Sequence, residues 1–291
     1  MSPLVTIGLP VFNAAPFLED ALRSIFAQTC ADWELIAVDD GSRDGSAEVL
    51  QRVNDPRVKV LADGEHRGLG ARLNQIVSQA SGKYIARMDA DDLMHPERLA
   101  RQVAFLDEDP GIDVVGCGLI SFDARQQPTS VRHLPLAHGD IMGDPLSGAH
   151  LAHASTIGRA EWWRKHLYNE RNRGCEDWEL WFTSRSGSRF ANLPGLLYFY
   201  REEQAFSLAG YARDKMELAA LQWSQSGEFG SSAMLAALGQ FGRIGIYGLA
   251  QALGARRALI RWRGSPPTKE ESAGFADALE RIRSAILPES P

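Results

Sequence analysis

Three carboxylates, Asp89, Asp91 and Asp92, stand within four residues at the end of the apolar run "YIARM" (84–88). Like charges this close repel unless a cation or solvent separates them. If the strand continues past Met88, Asp89 and Asp91 point to one side, because strand side chains alternate with period two. Ala90 between them keeps the turn uncrowded. Two converging carboxylates make a hard-oxygen site suited to Mg2+ or Mn2+, with positions left open for the phosphate oxygens of a nucleotide. The alternative is that Asp92 caps the next helix while its neighbours are solvated. "HPERL" reads as a helix start, with Pro96 in the first helical position and Leu99, Val103 and Leu106 on one face. Spacing alone leaves both readings open. A second acidic pair, Glu176 and Asp177, lies in "GCEDWELWF" (174–182). It suits either a general base or an acidic first helical turn complementing the macrodipole.

The elements that must carry these groups follow from periodicity. "LVTIGL" (4–9), ending at Pro10, "ELIAV" (34–38), "VKVLA" (58–62) and "YIARM" are short apolar runs of strand length. Between them the period changes to that of helices, with Phe17, Leu18, Ala21, Leu22, Ile25 and Phe26 on one face, then Val49, Leu50 and Val53, then Leu73, Ile76 and Val77. Strands that alternate with helices imply a mostly parallel sheet covered on both faces, with ligands at the carboxyl ends of its strands. Asn13, Asp39, Asp40, Asp63, Asp89 and Asp91 all follow predicted strands and so share that rim. Beyond Gly111 the rhythm changes. "DVVGCGLISFD" (113–123) reads as a strand and "ARQQPTS" as a turn, as expected of a mixed-sheet extension.

Composition sets limits. A chain of 291 residues with 44% hydrophobic and 23% charged residues can bury a substantial core. Its net charge of −6 argues against a nucleic-acid binder. Cys30, Cys117 and Cys175 lack metal-ligand spacing and read as reduced thiols. The first ten residues show no basic signal-peptide region, and no uncharged apolar run reaches the ~18 residues of a membrane span.

Four segments in order, "TIGLPVFNAAPFLEDALRSIFAQT", "WELIAVDDGSRDGS", "HRGLGARLNQIVSQASGKYIARMDADDLMHPERL" and "GCEDWELW", resemble the nucleotide-sugar-dependent glycosyltransferases of family 2. The resemblance is dense from residue 4 to about 107 and thinner to about 201. It implies a GT-A fold: a Rossmann-like nucleotide-sugar half (1–110), a mixed-sheet acceptor half (111–225) and a helical C-terminal region (226–291). It also implies roles. Pro10, Phe12 and Asn13 correspond to the turn that contacts the base and ribose, Phe12 offering its ring. Asp39 and Asp40 match the acidic pair that accepts the imide proton of uracil, with Asp40 the better match. Gly68, Arg72 and Asn74 fall in the segment beside the nucleotide, although Arg72 suits a surface ion pair equally well. Asp89, Ala90 and Asp91 match the D-x-D motif, with Asp91 the direct metal ligand and Asp89 nearer the ribose. Asp177 matches the base that deprotonates the acceptor, with Glu176 raising its proton affinity. His153 is more simply structural.

The implied function is inverting, Mn2+- or Mg2+-dependent transfer from a UDP-sugar to a glycan or lipid-linked saccharide. The implied setting is bacterial surface-glycan assembly at the cytoplasmic face of the plasma membrane. Two departures matter. The Q-x-x-R-W motif of processive synthases is missing, which implies single transfers, and "YFYREEQAFS" has Arg201 but no His to serve as a third metal ligand. Two rivals remain open: a non-catalytic nucleotide-sugar-binding module, and a dinucleotide oxidoreductase, which lacks its G-x-G-x-x-G after the first strand.

In the tail, "GEFGSSA" (227–233) reads as a linker. Residues 229–263 hold no Asp or Glu but Arg243, Arg256, Arg257, Arg261 and Arg263, with glycines at 239, 242, 245 and 248. That segment suits an anionic membrane surface or a homodimer contact. "TKEESAGFADALERIRSAIL" reads as an amphipathic helix.

Overall fold

β1 (Val5–Val11) lies at the centre of a nine-stranded sheet, between β2 (Trp33–Asp39) and β4 (Tyr84–Arg87). The computed structural model describes residues 2–172, 174–202, 207–253 and 264–288. β3 (Val58–Ala62) extends the parallel part beyond β2. On the other side, β8 (Ile157–Arg159) pairs antiparallel with both β4 and β6 (Val114–Phe122). β9 (Phe190–Arg201) runs parallel to β6, and β5 (Leu93–Met94) closes the order β3-β2-β1-β4-β8-β6-β9-β5. β7 (Pro128–Arg132) forms a hairpin with β6. This is a mixed sheet, as the resemblance implied, with a helical C-terminal part.

Strand alternation divides the core. Val5, Ile7, Leu9 and Val11 face α1 (Ala15–Phe26) and α4 (Arg98–Glu108), which supply Leu18, Leu22, Ile25, Leu99 and Leu106. The opposite face of β1 carries Thr6, Gly8 and Pro10, which have little bulk. α3 (Leu69–Gln79) therefore approaches closely, and a Cβ on Gly8 would stand 2.7 Å from Ile76. Leu73, Ile76 and Val77 of α3 join Trp162 and Trp163 of α6 (Ala160–Lys165) and Trp181 of α7 (Glu176–Ser184) in that second layer. α2 (Ser46–Arg52) covers β3, while α5 (His138–Ile141) is a single turn beside β9.

Several expected boundaries move. β1 does not end at Pro10 but runs on to Val11. Gly8 accepts from the Met88 N–H on the β4 side, so Pro10 also faces that side, beyond the last β4 pairing at Gly8. Its missing N–H leaves no partner unsatisfied there. Pro128–Ser130 are strand rather than turn, because the turn closes earlier, around Gln126 in the left-handed region (φ 55°). α4 begins at Arg98, two residues after Pro96.

Residues 227–233 are not a linker. α8 (Leu208–Ser224), α9 (Ser226–Phe229) and α10 (Ser231–Ala252) follow one another through a corner at Gly230 (φ 57°), and α10 packs on α8. α11 (Lys269–Arg283) starts at a capping box between Thr268 and Glu271 and returns to the sheet, burying Phe275 and Ile282 against Phe122 and Phe199. Among the described residues no helix is long and apolar enough to cross a membrane.

Candidate functional site

Chain order reverses across β1 and β4: β1 is followed outward by β2 and β3, while β4 leads to the mixed strands. Such a switch point leaves a crevice at the carboxyl ends of the strands. Here the crevice is a cleft lined by Pro10, Phe12, Asp40, His66, Gly68, Arg72, Asp89, Ala90 and Asp91.

The acidic turn lies at one end. Carboxylate oxygens of Asp89, Asp91 and Asp92 come within 4.8 Å of one another. Strand alternation is not the cause, because β4 stops at Arg87. The convergence is built by a turn that β9 holds from outside. The Asp89 N–H donates to the Tyr198 hydroxyl (3.2 Å), Arg201 Nε donates to the Asp91 carbonyl (2.7 Å), and the Arg201 N–H donates to the Asp92 carboxylate (2.8 Å).

Each carboxylate has a different environment. Asp92 does not cap α4, whose start carries no side-chain cap. It is buried, and burial together with the charges of Asp91 and Asp89 pushes its carboxyl well above the usual range. Asp89 makes a two-point ion pair with Arg87 (2.7 and 2.9 Å). Burial opposes the Arg87 charge, but Asp89 and the other acidic neighbours together hold the guanidinium in its charged form. Asp91 is partly exposed at the cleft. Hard oxygens grouped this way fit a Mn2+ or Mg2+ ion, while Asp89 is also ion-paired to Arg87.

The other end of the cleft is rich in N–H donors. Asp40 accepts from the Arg67 and Gly68 N–H groups (2.7 and 3.0 Å), from Arg72 Nε (2.7 Å), and lies 2.8 Å from His66 Nδ1. Gly68 adopts φ 90°, which lets the backbone turn toward Asp40. Asp39 contrasts with it. Its Oδ2 accepts from the Ser42 N–H (3.2 Å), while its buried Oδ1 has no hydrogen-bond partner among the described residues. The unsatisfied oxygen of the pair is thus on Asp39, buried behind the cleft wall that Asp40 lines. Phe12 is half-exposed rather than a core aromatic, and its ring stacks on His66 at 4.4 Å. Sequence reading missed His66, which gave no signal beyond its place before Gly68. It also missed Arg87, whose signal was a cation inside an apolar strand.

Three expected nucleotide contacts do other work. Arg72 forms no surface pair: it is buried, and all five N–H groups are engaged, by Asp40, Asp63, Gln75 and the Glu65 carbonyl. The hydrogen bonds from Arg72 hold the Asp63 carboxyl far below the usual range. The pair of Arg72 with Asp40 is buried, and breaking a buried pair leaves an uncompensated charge, at a cost of about 3–5 kcal/mol. Arg72→Met is therefore expected to lower folding stability by about 3 kcal/mol or more, measured by urea unfolding. An unchanged midpoint would show that the pair carries no such weight. Asn74 stays out of the cleft: it exchanges hydrogen bonds with the Tyr168 backbone (2.9 and 3.0 Å) and pins that loop to α3. Asn13, in the left-handed region (φ 49°), ties the turn after β1 to the loop after β2 through the Arg43 and Ser42 groups.

Glu176 and Asp177 open α7. The helix is fixed by its other end, where Trp181 packs on Trp162, Phe190 and His153. Asp177 is partly exposed, and its Oδ1 accepts from the Trp178 N–H (2.7 Å). Burial, with Asp177 as neighbour, pushes the Glu176 carboxyl up. His153 is buried and bonded to the Tyr168 hydroxyl (2.7 Å), and burial holds its imidazole well below its ordinary value, in the neutral form.

Residues 6–189 match the sequence model of the family described as Glycosyl transferase family 2. The Bacillus subtilis (strain 168) protein EpsE, named as a glycosyltransferase, is 33% identical over 217 residues, which span 69% of this chain and 74% of that protein. Among solved structures, Staphylococcus aureus TarS in complex with UDP-GlcNAc superposes with a TM-score of 0.57 at 17% identity, covering 96% of this chain and 91% of that one. The mannosyltransferase PcManGT of Pyrobaculum calidifontis, in complex with GDP-Man and Mn2+, gives 0.56 at 19% identity, over 97% and 86%. The switch-point cleft, the acidic turn and this sequence match together establish the chain as a member of glycosyl transferase family 2, built on the GT-A fold.

Proposed function

We propose that this family 2 enzyme carries out inverting, metal-dependent and non-processive transfer of a sugar from a UDP-linked donor to a hydroxyl of a glycan or lipid-linked saccharide. On the family resemblance, its setting is bacterial cell-surface polysaccharide or glycolipid assembly. The observation that carries the reading is the acidic Asp89/Asp91 turn at the end of the switch-point cleft. Complexes of TarS with UDP-GlcNAc and of PcManGT with GDP-Man and Mn2+ support a nucleotide-sugar donor and a cation.

In this reading the Phe12 ring faces the base, and the Asp39/Asp40 pair at the end of β2 accepts its imide N–H. Asp40 also fixes the shape of the 66–68 loop. Arg87 aims Asp89 at the ribose, and Asp91 holds the cation. A bound Mn2+ or Mg2+ supplies charge neutralisation to the departing diphosphate. Asp177 takes the proton of the acceptor hydroxyl as its oxygen bonds to the anomeric carbon and the bond to the diphosphate breaks. One displacement from the side opposite the leaving group inverts the centre.

A panel of UDP-sugars, assayed for UDP release with Mn2+ and with EDTA, tests this. Release is expected only with the cation. Full release in EDTA would contradict metal dependence, and binding without release, even with acceptor extracts, would favour a binding module.

A further inference from the structure

α10 is a helix with its apolar face outward. The side it turns to α8 carries Ala233, Ala237 and Gln240, which are small or polar, with Gln240 bonded to Gln222 (3.1 Å). Its large apolar side chains, Leu235, Leu238, Phe241, Ile246, Leu249 and Leu253 just past its end, are 54–71% exposed. At helical spacing they fall on one side. An exposed stripe of this kind marks an interaction surface rather than a solvated face.

We infer that this outer face of α10 seats the protein on the surface of a bilayer that carries anionic lipids. Charge selects that occupant. Residues 229–268 contain five arginines and no carboxylate, in a chain of net charge −6. Arg243 lies on α10 itself, and the sequence continues from Leu253 to Arg256, Arg257, Arg261 and Arg263, beside Trp262. Residues 254–263 lie outside the described residues, and only their composition enters here. An exposed apolar face on a helix that carries Arg243, in a stretch of sequence with cations and no carboxylate, matches an acyl boundary beneath anionic headgroups. A second copy of the chain would instead bring two cationic, carboxylate-free segments together. Since no described helix can cross a membrane, α10 lies along the surface.

The test is co-sedimentation of the full chain with phosphatidylcholine vesicles, with and without phosphatidylglycerol. Binding is expected only with phosphatidylglycerol, and is expected to weaken with added salt. The double variant Leu238→Glu with Leu249→Glu, both at exposed positions, should lower the bound fraction about tenfold or more, with helix content and donor turnover unchanged. Arg256→Glu with Arg257→Glu should weaken binding in the same direction while the apolar stripe is intact. Equal binding to both vesicle types, or no loss in either variant, would overturn the inference. So would a dimer in light scattering that Leu238→Glu with Leu249→Glu dissolves, in a protein that ignores vesicles.

Discussion

Asp177→Asn is expected to lower the rate of sugar transfer by about 10²–10⁴-fold, the usual contribution of a positioned general base, while UDP binding is unchanged. The substitution keeps the size and one hydrogen-bond acceptor, so the contact with the Trp178 N–H survives. It removes only the capacity to take a proton. α7 is anchored by Trp181 in the aromatic layer, several residues from the change, and does not depend on Asp177 for its place. Kinetics with saturating donor and acceptor, alongside calorimetry with UDP, separate the two effects. Near-normal turnover would remove Asp177 as the base. Lost UDP binding would mean that it acts in the donor cleft instead. Glu176→Gln serves as the comparison: its carboxyl is pushed up by burial rather than poised in the open, so a smaller loss is expected.

Asp91→Ala is expected to abolish the gain in UDP affinity that Mn2+ confers, because it removes the partly exposed carboxylate of the turn that lines the cleft. Disturbing an outer partner of a metal site costs about 10–100-fold in affinity, and losing a direct ligand costs more. Asp89→Asn is expected to act differently. It leaves the buried Arg87 without its anion, so a loss of folding stability accompanies the loss of activity. Metal-dependent UDP binding by titration, with and without EDTA, distinguishes the two. If Asp91→Ala bound UDP with an undiminished Mn2+ effect, the metal would be held elsewhere.

The first half of the fold was legible because it is local. Runs such as "ELIAV" and "VKVLA", separated by helical stripes, fix strand, helix and parallel order with no long-range information. β9 was not legible: its twelve residues pair with β6 and β5, from distant parts of the chain, and nothing nearby announces the register. The "GEFGSSA" reading failed for a related reason, since its helices are stabilised by α8–α10 packing rather than by propensity.

In the site, carboxylates at strand ends were visible as residue types in the wrong place for a core. Their partners were not. Only the folded chain shows that Arg72 spends every N–H on Asp40, Asp63 and their neighbours, that the unsatisfied oxygen of the acidic pair is on Asp39, and that Arg87 is ion-paired to Asp89. Asn74 was misread because its position beside Arg72 on α3 says nothing about which way that helix faces. It meets the Tyr168 loop.

The most direct measurement of the central claim is the anomalous difference map of crystals grown with Mn2+ and UDP. A manganese peak in direct contact with an Asp91 carboxylate oxygen and with the UDP phosphates is the predicted result, with Asp89 still on Arg87. Bound UDP with no peak at that turn, or a peak held by other residues, would contradict it.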